Sequence, residues 1–221
     1  MATGSIIKNP SAPQVNPAVI ARLRDIAVAL ISDSMHRNCG SIGLKAYHSP
    51  APLAGTAVTV RTRGGDNLAV LRAYDFCRPG DVMVVDAGGD VSNAIIGGIM
   101  SFAAQKLGLA GMVIDGAVRD VAELAERTFP VYARGASHRG PYKDGPGAIN
   151  VEVTVGGMVV RPGDIIVGDQ DGLCAFSPAI AEEVIAKALK QRDNEEATMQ
   201  AIREGRWDRS FVDALEARCM N

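Results

Sequence analysis

The sequence predicts an α/β protein, and three observations carry that prediction. Short apolar, β-branched runs alternate with helical periodicities through the first 130 residues, the pattern of strand–helix–strand units in a partly parallel layer. Gly and Pro punctuate the boundaries between these runs. The 221 residues are 47% hydrophobic and 22% charged, an ordinary globular balance with enough chain for a sizeable core. One large domain over residues 1–221 is the expectation, with a core over about 17–178 and a helical extension over about 178–221.

The elements follow in order. Asn16-Pro17 is an N-cap followed by proline at the first helical position. Val19, Ile20, Leu23, Ile26, Ala27, Leu30 and Ile31 then recur at helical spacing, and Ser32 or Asp33 can begin a further turn through Met35. Gly40 to Pro52 reads as a loop and Gly55 to Thr62 as a strand. Asp66 can cap a helix carrying Leu68, Leu71 and Tyr74. Arg78-Pro79-Gly80-Asp81 is a turn into the buried strand Val82 to Val85. A helix is expected from Asn93 to Leu107, ended by Gly108, then a strand from Gly111 to Ile114 and a turn at Asp115-Gly116. Asp120-x-x-Glu123 reads as a capping box for a helix over Val121 to Glu126.

After Pro130 the texture changes. Val131 to Ala133 is strand-like, and Ser137 to Asn150 is a Gly- and Pro-rich loop containing His138, Arg139 and Lys143. Short strands follow at Ile149 to Val155, Met158 to Val160, Asp164 to Val167 and Leu173 to Phe176, with turns at Gly156-Gly157 and Asp171-Gly172. The Arg-Pro-Gly-Asp turn recurs at Arg161 to Asp164. Ser177-Pro178 opens a last helix towards Gly205, apolar early and polar late, as befits a helix leaving the core for solvent or another subunit.

Composition excludes several functions. The net charge of −2 offers no basic field for nucleic acid, and no apolar run is long enough to span a membrane. The N-terminal stretch lacks a secretory pattern, so the cytoplasm is the default compartment. Cys39, Cys77, Cys174 and Cys219 form no C-x-x-C pair and are expected to be reduced and mostly buried. His36, His48 and His138 show no ligand spacing.

The densest chemical signal lies between Asn93 and Glu123. Gly97 and Gly98 stand at or near a helix start, although glycine costs about 1 kcal/mol relative to alanine inside a helix. Such a pair serves either tight packing or close approach of an anion to free N–H groups. Arg119-Asp120 follows the end of a strand, where ligands bind in α/β sheets. Arginine can hold a carboxylate or enolate, and aspartate a hard divalent cation. Capping and surface exposure are the plain readings of the same two residues.

The stretches Ile31–Ser34, Leu53–Val60, Gly65–Asn67, Gly80–Asp86, Gly97-Gly98, Val113–Asp120, Pro130–Gly135, Val160–Asp164 and Asp169–Gly172 resemble the RraA-like family. That family includes class II pyruvate aldolases acting on 4-hydroxy-4-methyl-2-oxoglutarate and 4-carboxy-4-hydroxy-2-oxoadipate. The resemblance implies a swivelling β/β/α sandwich, assembled as a homotrimer or homohexamer with the site between subunits. It implies that backbone at Gly97, Gly98, Ile99 and Met100 binds the pyruvate carboxylate, that Arg119 stabilises the enolate and that Asp120 holds Mg²⁺ or Mn²⁺. Glu195 or Glu196 of a neighbouring subunit is the nearest candidate to hold metal-bound water. The implied activity is a metal-dependent lyase acting on a small keto acid, with oxaloacetate decarboxylation as a companion. The other reading is a non-catalytic regulator binding a ribonuclease, since one branch of the family does so. One departure stands out: the aldolases usually carry Asp or Glu where this chain has Gly98, and Asp86, Asp90 or a residue of another subunit is left to substitute.

Overall fold

The computed structural model describes residues 4–37 and 39–219. In chain order the elements are β1 (Ile6–Lys8), α1 (Pro17–Arg24), α2 (Val28–Ser34), β2 (Lys45–Ala46), β3 (Leu53–Thr62), α3 (Leu68–Ala73), β4 (Asp81–Asp86), β5 (Ala94–Ile96) and α4 (Gly98–Lys106). There follow β6 (Gly111–Val118), α5 (Val121–Ala125), β7 (Val131–Ala136), β8 (Gly147–Ile149), β9 (Val153–Val155), β10 (Met158–Val160), β11 (Ile165–Gly168), β12 (Leu173–Phe176), α6 (Ala181–Arg203) and α7 (Phe211–Cys219).

Parallel pairing of β3 with β4, β4 with β6 and β6 with β7 forms the centre of the main sheet, as the strand–helix alternation predicts. Alternate side chains along these strands build two cores. Met83 and Val85 face α3, α4 and α5, where Val70, Ala104 and Leu124 meet them. Val82 and Val84 face the opposite way, onto Val153, Val155, Met158 and Val160 of the β9–β10 hairpin. Hairpin, sheet and helices make three layers, the β/β/α sandwich that the family resemblance implies. A third cluster packs α1, α2 and the first turns of α6 around β11 and β12.

Local chemistry explains the boundaries. Asn16 caps α1, its Oδ1 accepting from Ala18 N at 2.9 Å. The two Arg-Pro-Gly-Asp turns have the same construction: Gly80 and Gly163 both sit at φ 88°. Asp81 Oδ2 accepts from Arg78 N, and Asp164 Oδ2 from Arg161 N, each at 2.8 Å. Gly156 and Gly157, with φ of 56° and 80°, turn the β9–β10 hairpin.

Four expectations need correction. The helical periodicity from Val19 to Ile31 breaks into α1 and α2, because Asp169 Oδ2 accepts from Val28 N at 2.9 Å and starts a new helix there. The expected helix from Asn93 begins only at Gly98; Ala94 and Ile96 pair with β6 instead, as a strand. The expected turn at Asp115-Gly116 is absent, and β6 runs on to Val118. Asp115 stays in the strand because Arg134 pairs with it and Gly156 N donates to it at 2.8 Å. Part of the loop between Ser137 and Asn150 is the strand β8, paired with β1 and β3.

The thiols of Cys39, Cys77 and Cys174 are free; Cys174 is buried and the other two are partly so. Burial pushes the Cys77 and Cys174 thiols up to about 12. The side chain of Cys219 lies outside the described residues. α6 is buried at Ala181, Val184, Ile185 and Ala188 and then leaves the core. Among the described residues, no helix is long and apolar enough to cross a membrane.

Candidate active site

The sheet brings the start of α4 and the end of β6 together. β5 runs parallel to β6, so both strands end on the same side. Gly97 follows β5 and Arg119-Asp120 follows β6, placing all of them beyond the carboxyl ends of parallel strands. Arg119 N donates to Ile96 O at 3.0 Å and locks the two ends in register.

The capping-box expectation fails here. Asp120 sits in the left-handed region, at φ 59° and ψ 38°, and its side chain makes no bond to the start of α5. Instead Asp120 Oδ2 accepts from Gly98 N at 2.9 Å, across to α4. Arg119 Nε lies 3.8 Å from the same oxygen. Both side chains are 43% exposed. Asp120 Oδ1 has no hydrogen-bond partner among the described residues. Aspartate is among the few non-glycine residues that adopt this backbone region.

The two glycines differ in what approaches them. A Cβ on Gly97 would overlap Asp120 Oδ2 and lie 2.8 Å from Arg119 Cγ. A Cβ on Gly98 would overlap the Glu123 carboxylate. Packing therefore accounts for Gly97, whereas at Gly98 the neighbour is the flexible end of the half-exposed Glu123 side chain; free donors remain. Gly98 N is engaged by Asp120, whereas Ile99 N and Met100 N have no partner among the described residues.

These groups line a cleft of about 240 Å³ with Asn67, Ile96, Pro141 and Lys143. Asn67 is 3% exposed. Its amide nitrogen donates to Ile95 O at 3.0 Å, while Oδ1 is buried with no partner. Such an orphaned acceptor is costly unless an occupant of the cleft bonds to it. Lys143 and Pro141 arrive on the loop after β7. That loop is tied down by Asn67 N donating to Tyr142 O at 3.0 Å and Tyr142 N donating to Gly65 O at 2.8 Å. On the other side of Arg119-Asp120 a second, shallower recess is lined by Ser137 and His138.

The structure thus gathers Gly97, Ile99, Met100, Arg119 and Asp120 in one cleft, with Gly98 immediately behind them. Glu195 and Glu196 lie on the exposed second half of α6 and do not line the cleft of their own chain. Asp86 and Asp90 are not at the cleft either. Asp86 Oδ1 accepts from Gly88 N, and Ser92 N donates to Asp90, holding its carboxyl below the ordinary value. Sequence reasoning missed Asn67 and Lys143, whose only signal was the Gly65–Asn67 stretch and the basic loop.

The donor set fits a hard divalent cation. Asp120 presents one free carboxylate oxygen, and no group of three or more His, Cys, Asp or Glu side chains converges among the described residues. A single carboxylate can suffice for Mg²⁺ or Mn²⁺, which keep several waters.

The RraA-like family (Aldolase/RraA) matches residues 28–174 of the chain. A Halalkalibacterium halodurans protein provisionally named a 4-hydroxy-4-methyl-2-oxoglutarate aldolase is 40% identical over 185 residues, covering 83% of this chain and 88% of that protein. A Thermus thermophilus protein named 4-hydroxy-4-methyl-2-oxoglutarate aldolase is 36% identical, covering 58% of this chain and 78% of its own length. The structure of Streptomyces coelicolor RraAS2, described as an unusual member of the RNase ES inhibitor RraA family, superposes with a TM-score of 0.78 at 25% identity, over 85% of this chain and 98% of that one. The match of the family over residues 28–174 and the 40% identity over 83% of the chain, with a three-layer fold to go with them, place this chain in the RraA-like family.

Proposed function

We propose that the protein is a divalent-metal-dependent lyase that cleaves a 4-hydroxy-2-oxo acid to pyruvate by a retro-aldol reaction, and that it also decarboxylates oxaloacetate. One observation carries this reading. Free helix-start N–H groups, a guanidinium and a carboxylate with a spare oxygen share one cleft. The names of the bacterial relatives support the aldolase part of it.

Each residue then has a task. Ile99 N and Met100 N donate to the substrate carboxylate at the positive end of α4. Arg119 balances the negative charge that grows on the C2 oxygen as the C3–C4 bond breaks. Asp120 anchors the cation and, by binding Gly98 N, fixes the helix start against β6. Asn67 Oδ1 accepts from a hydroxyl or water of the occupant. A bound Mg²⁺ or Mn²⁺ would supply the Lewis acidity that makes the keto group an electron sink.

The test is pyruvate release from 4-hydroxy-4-methyl-2-oxoglutarate and from oxaloacetate, with Mg²⁺ or Mn²⁺ and with chelator. Turnover should require the cation, and Arg119→Ala should lower kcat/KM by roughly 100-fold or more. Turnover indifferent to both would end the proposal. The likeness to RraAS2 favours a second reading, a regulator that binds a ribonuclease. Oxalate, a mimic of the pyruvate enolate, separates the two: with Mg²⁺ it should raise the melting temperature of a lyase and leave that of a regulator unmoved.

A further inference from the structure

We propose that Cys39 and Cys174 form a modification site, a dithiol that a peroxide converts reversibly into a disulfide. The two residues lie 135 positions apart in the chain. Cys174 is fixed in β12, opposite Val167 of β11. Cys39 lies on the connection between α2 and β2. Just after it, Ser41 N donates to Leu173 O at 3.0 Å and Ile42 N donates to Gly156 O at 2.8 Å. The first of these bonds lays the connection against the start of β12. Cys39 Sγ thereby comes to donate to Cys174 Sγ, at 3.8 Å. No residue lining this place lines the cleft of Arg119 and Asp120, so the proposal stands apart from the lyase reading.

Access, room and freedom suit the pair to oxidation. Cys174 is buried and Cys39 partly exposed, and both border a recess of about 370 Å³ shared with Ser32, Arg37 and Asp171. An oxidant therefore meets Cys39 first. Gly40, at φ 118°, keeps the flank of Cys174 clear: a Cβ there would lie 3.0 Å from Leu173 O and 3.6 Å from Cys174 Sγ. The sulfurs of a disulfide stand about 2.05 Å apart, so the pair has to close. Neither the N–H nor the carbonyl of Cys39 bonds another group among the described residues, so Cys39 can move without breaking a backbone hydrogen bond. Cys77 is the contrast. Its Sγ donates to Ala73 O at 3.3 Å and has no sulfur beside it among the described residues.

The chemistry balances with hydrogen peroxide as the oxidant. The Cys39 sulfur attacks one peroxide oxygen, the O–O bond breaks, and Cys39 becomes a sulfenic acid as water leaves. The Cys174 sulfur then attacks the Cys39 sulfur. The S–S bond forms as the S–O bond breaks, and the Cys174 proton departs with the hydroxide as a second water. Two thiols and one peroxide give one disulfide and two waters; the sulfurs lose the two electrons that the peroxide gains. Burial, with Cys39 beside it, pushes the Cys174 thiol up to about 12. Cys174 thus stays a thiol and reacts only when an oxidised sulfur stands against it. The competing account is plain packing, since Cys174 belongs to the core cluster around β11 and β12 and Cys39 packs against it.

The experiment exposes fully reduced full-length protein to hydrogen peroxide, quenches with catalase, alkylates, digests and identifies the cysteine peptides by mass. Most chains should carry a Cys39–Cys174 link that dithiothreitol opens, with Cys77 still open to alkylation. The link closes a long loop, so the oxidised protein should melt roughly 5 °C higher or more, and return on reduction. Cys174→Ser should leave Cys39 as a sulfenic acid that dimedone traps, and Cys39→Ser should leave Cys174 open to alkylation after the same exposure. Wild-type Cys39 and Cys174 both still alkylated, at a dose that oxidises the exposed Met199, would overturn the proposal. So would Cys39 driven to sulfinic acid without a link, or either cysteine joined to Cys77 or Cys219. A Cys39–Cys174 link with an unchanged or lower melting temperature also overturns it, because the native fold then has to distort to accept the bond.

Discussion

Two aspartates precede two short helices of this chain, and they are used in opposite ways. Asp66, before α3, has a fully buried side chain, and both of its carboxylate oxygens are bonded by the protein. Its Oδ1 accepts from Leu68 N at 2.9 Å, and its Oδ2 from Asp144 N, Gly145 N and Arg63 at 2.7, 3.0 and 3.1 Å. Asp120, before α5, is half-exposed and in a left-handed backbone position. It leaves its own helix uncapped, reaches across to Gly98 and keeps Oδ1 in reserve. Both oxygens of Asp66 are bonded by the protein, whereas Asp120 has one oxygen without a partner among the described residues.

The same substitution at both positions sharpens that contrast. Asp120→Asn keeps an oxygen for Gly98 N, and asparagine tolerates the left-handed conformation. Only the charge is lost. Turnover should fall by about 1000-fold, some 4 kcal/mol of transition-state stabilisation, while stability stays within about 0.5 kcal/mol. Steady-state kinetics and chemical denaturation check the two numbers. A large loss of stability with modest loss of turnover would make Asp120 another Asp66.

Asp66→Asn should do the reverse. Its amide NH₂ must face a backbone N–H on one side or the other, leaving buried donors unpaired. The expected loss is about 2–3 kcal/mol, seen as a melting temperature lower by roughly 5–10 °C. The loop carrying Pro141 and Lys143 would loosen with it, since Asp66 holds Asp144 and Gly145. A melting temperature equal to that of wild type would show that the loop is held elsewhere.

Much of the fold was legible because several elements obey local rules. Asn16-Pro17 caps and starts α1, Ser177-Pro178 caps a short 3-10 turn at Pro178–Ile180 that leads into α6, and the Arg-Pro-Gly-Asp turns close themselves. What was missed depends on distant partners. Ala94 and Ile96 suit a helix or a strand, and only pairing with Ala117 and Val118 decides. The break before Val28 is made by Asp169, 141 residues away. At the site, Arg119 and Asp120 stood out through family resemblance, since their local pattern pointed to a helix cap. Glu123 looked like the other half of that cap. Its place over Gly98 exists only once β5 and β6 lie side by side.

The smallest effect tests what holds Asp66. Arg63 reaches its Oδ2 at 3.1 Å and Asp144 at 3.7 Å, and its guanidinium lies 5.8 Å from the centre of the Tyr142 ring. The opposite charge makes Arg63 look like the essential partner. Its side chain is 48% exposed, however, so water competes for the guanidinium and screens the pair. Three backbone N–H groups remain on Asp66 when Arg63 is removed. Arg63→Ala should therefore cost at most about 1 kcal/mol by denaturant titration, well short of Asp66→Asn. Equal losses in the two variants would mean that the ion pair, rather than the enclosing backbone, sets the carboxylate, and the contrast with Asp120 would have to be redrawn around charge.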